Sequence, residues 1–79
     1  MRVKEKAHDI LFKNNRVFEA KHAIKATGGD INVAGNYITK SKSAFWSEKN
    51  ATIIDDGNNT LIGNKVNYKQ TENGKIIRH

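Results

Sequence analysis

Between Val3 and Ile38 the apolar residues recur at intervals of three and four. Val3, Ala7, Ile10 and Leu11 form one such stripe and predict a helix from about residue 3 to residue 13. Asn14-Asn15 interrupts it, because asparagine prefers turns and caps to helix interiors. Val17, Ala20, Ile24 and Thr27 line the next stripe, predicting a second helix over about 16–27. Gly28-Gly29 is read as its stop and Asp30 as the cap of a third helix over about 31–40, on which Ile31, Ala34 and Ile38 share a face. Gly35 inside that helix costs about 1 kcal/mol relative to alanine and implies a close helix–helix approach.

After Lys40 the pattern changes to short apolar runs between turn residues. Thr52-Ile53-Ile54 and Thr60-Leu61-Ile62 flank Asp55 to Asn59, and Lys65 to Lys69 and Lys75 to Ile77 flank Thr71-Glu72-Asn73-Gly74. Asn-Gly is the strongest short hairpin signal, so two hairpins or a small meander are predicted. An isolated hairpin is barely stable in water, so these strands must pack on the helices or stay partly flexible. The expected fold class is therefore α+β: a three-helix bundle over residues 1–43 and a β-rich extension over 44–79. No internal repeat stands out at this level.

The helix–glycine–Asp–helix order carries a resemblance. Ala20-Lys-His-Ala-Ile24 leads without a gap into Gly29-Asp-Ile-Asn-Val-Ala34, and Phe18 to Ile38 resembles the UBA-like superfamily. It is most similar to the N-terminal domain of elongation factor Ts and to the UBA domain of the nascent-polypeptide-associated complex. The resemblance implies a protein-contact patch built from Arg16, Val17, Phe18, Tyr37 and Ile38, and a partner such as a translation factor or other host protein. Lys13-Asn14-Asn15-Arg16-Val17 departs from the ubiquitin-contacting and factor-Tu-associated loops of those relatives, so neither ubiquitin binding nor nucleotide exchange carries over. A second, lesser resemblance rests on Gly29 to Asn36, which is similar to a fragment of adhesin β-helix repeats. The C-terminal half likewise resembles the strands of lipopolysaccharide-transport β-jellyrolls. The helical stripe before Gly28 outweighs both here.

Charge adds an alternative. The chain has 79 residues, 14 Lys and Arg against eight Asp and Glu, and a net charge of +6. That balance favours a nucleic acid or an acidic surface as partner. Lys40, Lys42 and Lys49 bracket Phe45 and Trp46, a combination that holds a phosphate backbone while bases stack on rings. The other reading of Phe45 and Trp46 is packing over the bundle.

Catalysis finds little support. His8, His22 and His79 have no metal-ligand spacing, and the serines at 41, 43 and 47 have no partner arrangement that suggests a nucleophile. Asp55 to Asn59 looks superficially like a calcium loop, but position 12 of such a loop falls on Val66. No enzyme, cofactor or metal is expected. The absence of cysteine suits a reducing compartment such as the cytoplasm. The charged N-terminal run lacks an apolar segment of signal-peptide length, and no stretch approaches the roughly 20 apolar residues of a membrane span.

Overall fold

The computed structural model describes residues 1–4 and 6–78. They form eleven strands: β1 (Arg2–Val3), β2 (Ile10–Lys13), β3 (Arg16–Phe18), β4 (His22–Ala26), β5 (Asp30–Ala34), β6 (Tyr37–Thr39), β7 (Ser43–Ser47), β8 (Thr52–Gly57), β9 (Thr60–Ile62), β10 (Val66–Gln70) and β11 (Lys75–Arg78). Every strand pairing is parallel, and each strand pairs with the one three places along the chain. The strands make three sheets: sheet A in the order β1-β4-β7-β10, sheet B in the order β11-β8-β5-β2, and sheet C in the order β3-β6-β9. The chain therefore winds as a β-solenoid, visiting A, B and C in turn and starting again.

This architecture corrects the α+β expectation. The described residues contain no helix, so there is no three-helix bundle and no UBA-like domain. The C-terminal strands lie close to where the apolar runs put them, but they do not turn back as hairpins. β8, β9 and β10 each lead on into the next sheet, and β8 to β11 all pair one coil away. Gly29 to Asn36, read as a β-helix fragment in the lesser resemblance, is indeed a stretch of solenoid wall. The β-jellyroll likeness of the C-terminal half does not hold, because its strands are parallel.

The stripe that looked helical has a simple origin. Within a strand the inward positions are two apart, and at each corner the alternation is reset. Ile31 and Val33 point inward on β5, and Asn36 and Ile38 are the next buried pair. Each side of the coil takes seven residues, so the inward Ile10, Val17, Ile24, Ile31 and Ile38 recur at the spacing of two helical turns.

Successive coils differ by 21 to 23 residues, and like positions stack. Ile10, Ile31, Ile53 and Ile76 form one interior column; Val17, Ile38 and Leu61 form another; Ile24, Phe45 and Tyr68 a third. Ile24, Ile31, Ile38, Phe45 and Ile53 are fully buried. At the B-to-C corner an amide column runs through the interior. The Asn36 side chain donates from Nδ2 to Asn59 Oδ1 (2.9 Å) and to the Phe12 carbonyl (2.9 Å), while its Oδ1 accepts the Asn15 backbone N–H (3.0 Å). A buried amide is tolerated because each polar atom finds a partner in the next coil.

The corners also impose backbone geometry. Asn14, Gly35 and Asn58 have φ of 56°, 65° and 58°, and Glu19, Lys40 and Gly63 have 56°, 53° and 72°. Each set stands at one corner in three successive coils, where a sharp bend needs the left-handed region. Gly35 is thus a corner residue, and the helix–helix approach expected there does not exist. The Asp55 to Asn59 turn holds a bulge opposite β5 between Val33 and Ala34. Asp55 is buried and accepts hydrogen bonds from Asn59 Nδ2 (2.6 Å), the Gly57 backbone N–H (2.9 Å) and the Tyr68 hydroxyl (2.9 Å). Burial, reinforced by this bond to Asp55, raises the Tyr68 hydroxyl pKa.

Candidate nucleic-acid interface

The stacking that builds the core also operates outside it. In sheet A, Lys25 of β4 stands beside Trp46 of β7, which stands beside Lys69 of β10. Arg2 of β1 extends the row beyond Lys25. The two lysine ammonium groups lie 4.2 Å (Lys25) and 4.0 Å (Lys69) from the Trp46 ring centroid, one from the coil on each side. Such contacts are worth about 0.5–1 kcal/mol each at an exposed site. The Trp46 indole N–H donates to Thr71 Oγ1 (2.9 Å), and the His22 ring meets the indole edge-on with centroids 4.8 Å apart. These four contacts fix the ring's orientation while leaving it half-buried.

At the neighbouring corner, between sheets C and A, Lys21, Lys42 and Lys65 follow one another in consecutive coils. The Ser43 backbone N–H donates to the Lys21 carbonyl (3.2 Å) and the Val66 backbone N–H to the Lys42 carbonyl (3.1 Å), which fixes this alignment. Coils in a parallel sheet are about 4.8 Å apart, so the three side chains leave a narrow strip of surface. Among the described residues, the one lysine ion pair is Lys25 with Glu48 at 3.7 Å. Among the described residues, no carboxylate lies within ion-pair distance of Lys21, Lys42, Lys65 or Lys69.

Two open clefts flank the Lys42–Lys65 pair. The larger, of about 510 Å³, lies on the sheet C side and is bordered by Glu19, Lys21, Lys40 and Ser41. The smaller, of about 340 Å³, lies on the sheet A side and is bordered by His22, Ser43, Trp46, Val66 and Lys69. His22 Nδ1 is 2.7 Å from the buried Ser43 hydroxyl. Burial lowers the His22 pKa, and the charges of Lys25, Lys69, Lys21 and Lys42 lower it further.

The residues named from sequence are separated by this geometry. Lys42 and Trp46 stand together on the sheet A face. Lys40 borders the larger cleft and reaches over the Phe18 ring at 5.4 Å. Phe45 is fully buried in the interior column, where it cannot stack on a base, and Lys49 lies at the far end of β7 beside Thr27 and Asn50. His22 was weighed from sequence only as a metal or catalytic histidine, and Lys21, Lys25, Lys65 and Lys69 were not singled out. Their signal was the recurrence of Lys21–Lys42–Lys65 and Lys25–Trp46–Lys69 at intervals of 21 and 23 residues.

The contact patch expected at Arg16, Val17, Phe18, Tyr37 and Ile38 falls on sheet C and is split between its two sides. Phe18 (62% exposed) and Tyr37 (45%) face outward with Arg16, whose guanidinium lies 5.7 Å from the Tyr37 ring centroid. Val17 packs against the core and Ile38 is buried in it. Ile62 (56% exposed) joins the outer face one coil further on.

His8 forms an exposed contact with Asp9 (3.0 Å), and His79 lies outside the described residues. Among the described residues no group of three His, Cys, Asp or Glu side chains is placed to hold a metal ion. None of them belongs to a helix long and apolar enough to cross a membrane. No protein-family model, no curated protein and no solved structure matches the chain.

Proposed function

We propose that the protein is a non-enzymatic binding module that holds the phosphate backbone of a nucleic acid along the outer face of sheet A. The observation that carries this reading is the Lys21–Lys42–Lys65 column beside the Lys25–Trp46–Lys69 row, with Glu48 the one carboxylate among the described residues paired to any of these lysines. Like charges stacked in adjacent strands repel, so the array is poorly satisfied until an anion lies across it. Recognition is of phosphate and independent of sequence. The lysines on either side of Trp46 occupy the space a stacked base needs, so Trp46 serves to hold Lys25 and Lys69 in place. The cysteine-free chain suits a reducing compartment such as the cytoplasm.

The test is an anisotropy titration with single- and double-stranded oligonucleotides at two salt concentrations. About five phosphate contacts give a slope of roughly −3.5 in log affinity against log salt for a single strand. Absence of binding at low salt rejects the reading.

A second reading is favoured by Phe18, Tyr37 and Ile62, three large exposed side chains on the outer face of sheet C, with Thr39 between Phe18 and Ile62. Large apolar side chains grouped on one outer face suit a protein-contact surface. The link to a translation factor rested on the UBA-like resemblance and goes with it. For any partner found, Phe18→Ala together with Ile62→Ala should abolish the complex while leaving the β-type circular dichroism unchanged.

A further inference from the structure

The smaller cleft differs from the rest of the basic face in having hydrogen-bonding groups behind its lysines. Lys42, Lys65 and Lys69 border it, and none of its bordering residues carries a carboxylate. His22 and Ser43 back it, with the Ser43 hydroxyl against His22 Nδ1 at 2.7 Å. At about 340 Å³ it has the size of a small-ligand site, too small for a whole strand. We propose that this cleft seats a single tetrahedral oxyanion of the phosphate type between Lys42, Lys65 and Lys69, and that seating it draws a proton onto His22. The inference rests on the reading of this face as an anion-binding surface and names the point at which one phosphate is gripped.

The Ser43 hydroxyl makes the proton uptake possible. It donates to Nδ1 while the ring is neutral, and it accepts from Nδ1–H once the ring is charged. The hydrogen bond therefore survives in both states, while the second ring nitrogen keeps its proton throughout. The charged groups around the ring are Lys21 and Lys25 on the β4 side, Lys42 and Glu48 on the β7 side, and Lys65 and Lys69 on the β10 side, with Arg2 of β1 beyond Lys25. Glu48 is engaged with Lys25, so the field at His22 is positive. An anion seated among these lysines cancels that field and favours the imidazolium. By linkage, a proton on His22 must then strengthen anion binding by the same factor.

The probe is sulfate, a tetrahedral dianion whose charge is constant where histidine titrates. The reporter is Trp46, the chain's one tryptophan, which borders the cleft. A saturable change in its fluorescence is expected, with affinity about tenfold tighter near pH 5.5 than near pH 8. His22→Gln should retain binding and lose the pH dependence. Ser43→Ala should flatten it without altering any charge, and Lys42→Gln with Lys65→Gln should weaken sulfate at least about tenfold at both pH values. Far-ultraviolet circular dichroism of each variant checks that the solenoid persists. Inorganic phosphate and a nucleoside 5′-monophosphate then separate the two sources of the ligand. Tighter binding of the nucleotide supports a seat for a nucleic-acid phosphate, and equal binding supports a seat for the free ion. No saturable sulfate signal, or an unchanged pH dependence in His22→Gln, overturns the proposal. If an oligonucleotide binds with a steep salt slope but sulfate neither binds nor competes, the seat falls and the wider binding face stands. If neither binds, both fall.

Discussion

Asn15, Asn36 and Asn59 inside the solenoid and Lys21, Lys42 and Lys65 outside it are spaced alike, at 21 and then 23 residues. Both are columns of identical side chains, one per coil. Inside, stacking is favourable, because an amide both donates and accepts and each one satisfies the next. Outside, stacking is unfavourable, because an ammonium only donates and each charge repels its neighbours. The same winding thus produces an inner column that stabilises the fold and an outer column of like charges, on which the proposed binding function rests.

The largest expected effect breaks the inner column. Asn36→Ala leaves the Phe12 carbonyl, the Asn15 backbone N–H and Asn59 short of partners. It should cost about 3 kcal/mol, read as a drop in Tm of order 15 °C. A smaller loss would mean that water enters the corner and replaces the amide. Breaking the outer column should act on binding and leave the fold intact. Lys42→Gln with Lys65→Gln should reduce oligonucleotide affinity roughly tenfold at low salt, while raising stability by about 0.5–1 kcal/mol as repulsion is relieved. Anisotropy and chemical denaturation check the two halves, and a destabilised double variant would contradict the contrast.

A third change sharpens the comparison at the corner between the columns. Lys40 holds φ at 53° where the next coil has Gly63, so Lys40→Gly should stabilise by about 0.5–1 kcal/mol in urea denaturation. The smallest effect comes from His22. Its pKa is lowered in the fold, so the unfolded chain binds the proton more readily. Its contribution is present above the ordinary histidine pKa of about 6.5 and is lost as pH falls through the lower folded value. Stability should therefore decline on acidification in this window, and His22→Gln should remove that part of the decline. Saturating sulfate should oppose it if the anion seat is occupied.

Part of this was legible in the residues. Strands at Thr52–Gly57, Thr60–Ile62, Val66–Gln70 and Lys75–Arg78 follow from β-branched runs between turn residues. The basic balance and the place of Trp46 among lysines were visible too. The first forty residues misled because each side of the coil takes seven residues, so one inward apolar residue per side recurs at the interval of two helical turns. That interval coincides with helical spacing over Val17 to Ile38 without a helix being there. Asn73-Gly74 misled for a related reason. The Gly74 backbone N–H donates to the Thr71 carbonyl (2.9 Å) in a tight turn, but a Cβ at Gly74 would strike the Ser47 carbonyl of the coil before. That glycine is required by the neighbouring coil, whereas a hairpin would have needed it for the turn alone.

The sequence by itself determined the alternation of short apolar runs with turn residues, the excess of positive charge and the absence of cysteine. It also held the repeat, since Asn15-Asn36-Asn59 and Lys21-Lys42-Lys65 are there to be counted. The tertiary structure alone decided that residues 21 to 23 positions apart are neighbours. Local preference extends over a few residues, but parallel pairing is made between strands a full coil apart. Only that pairing places Lys25 and Lys69 on either side of Trp46, buries Phe45, and turns scattered lysines into one face.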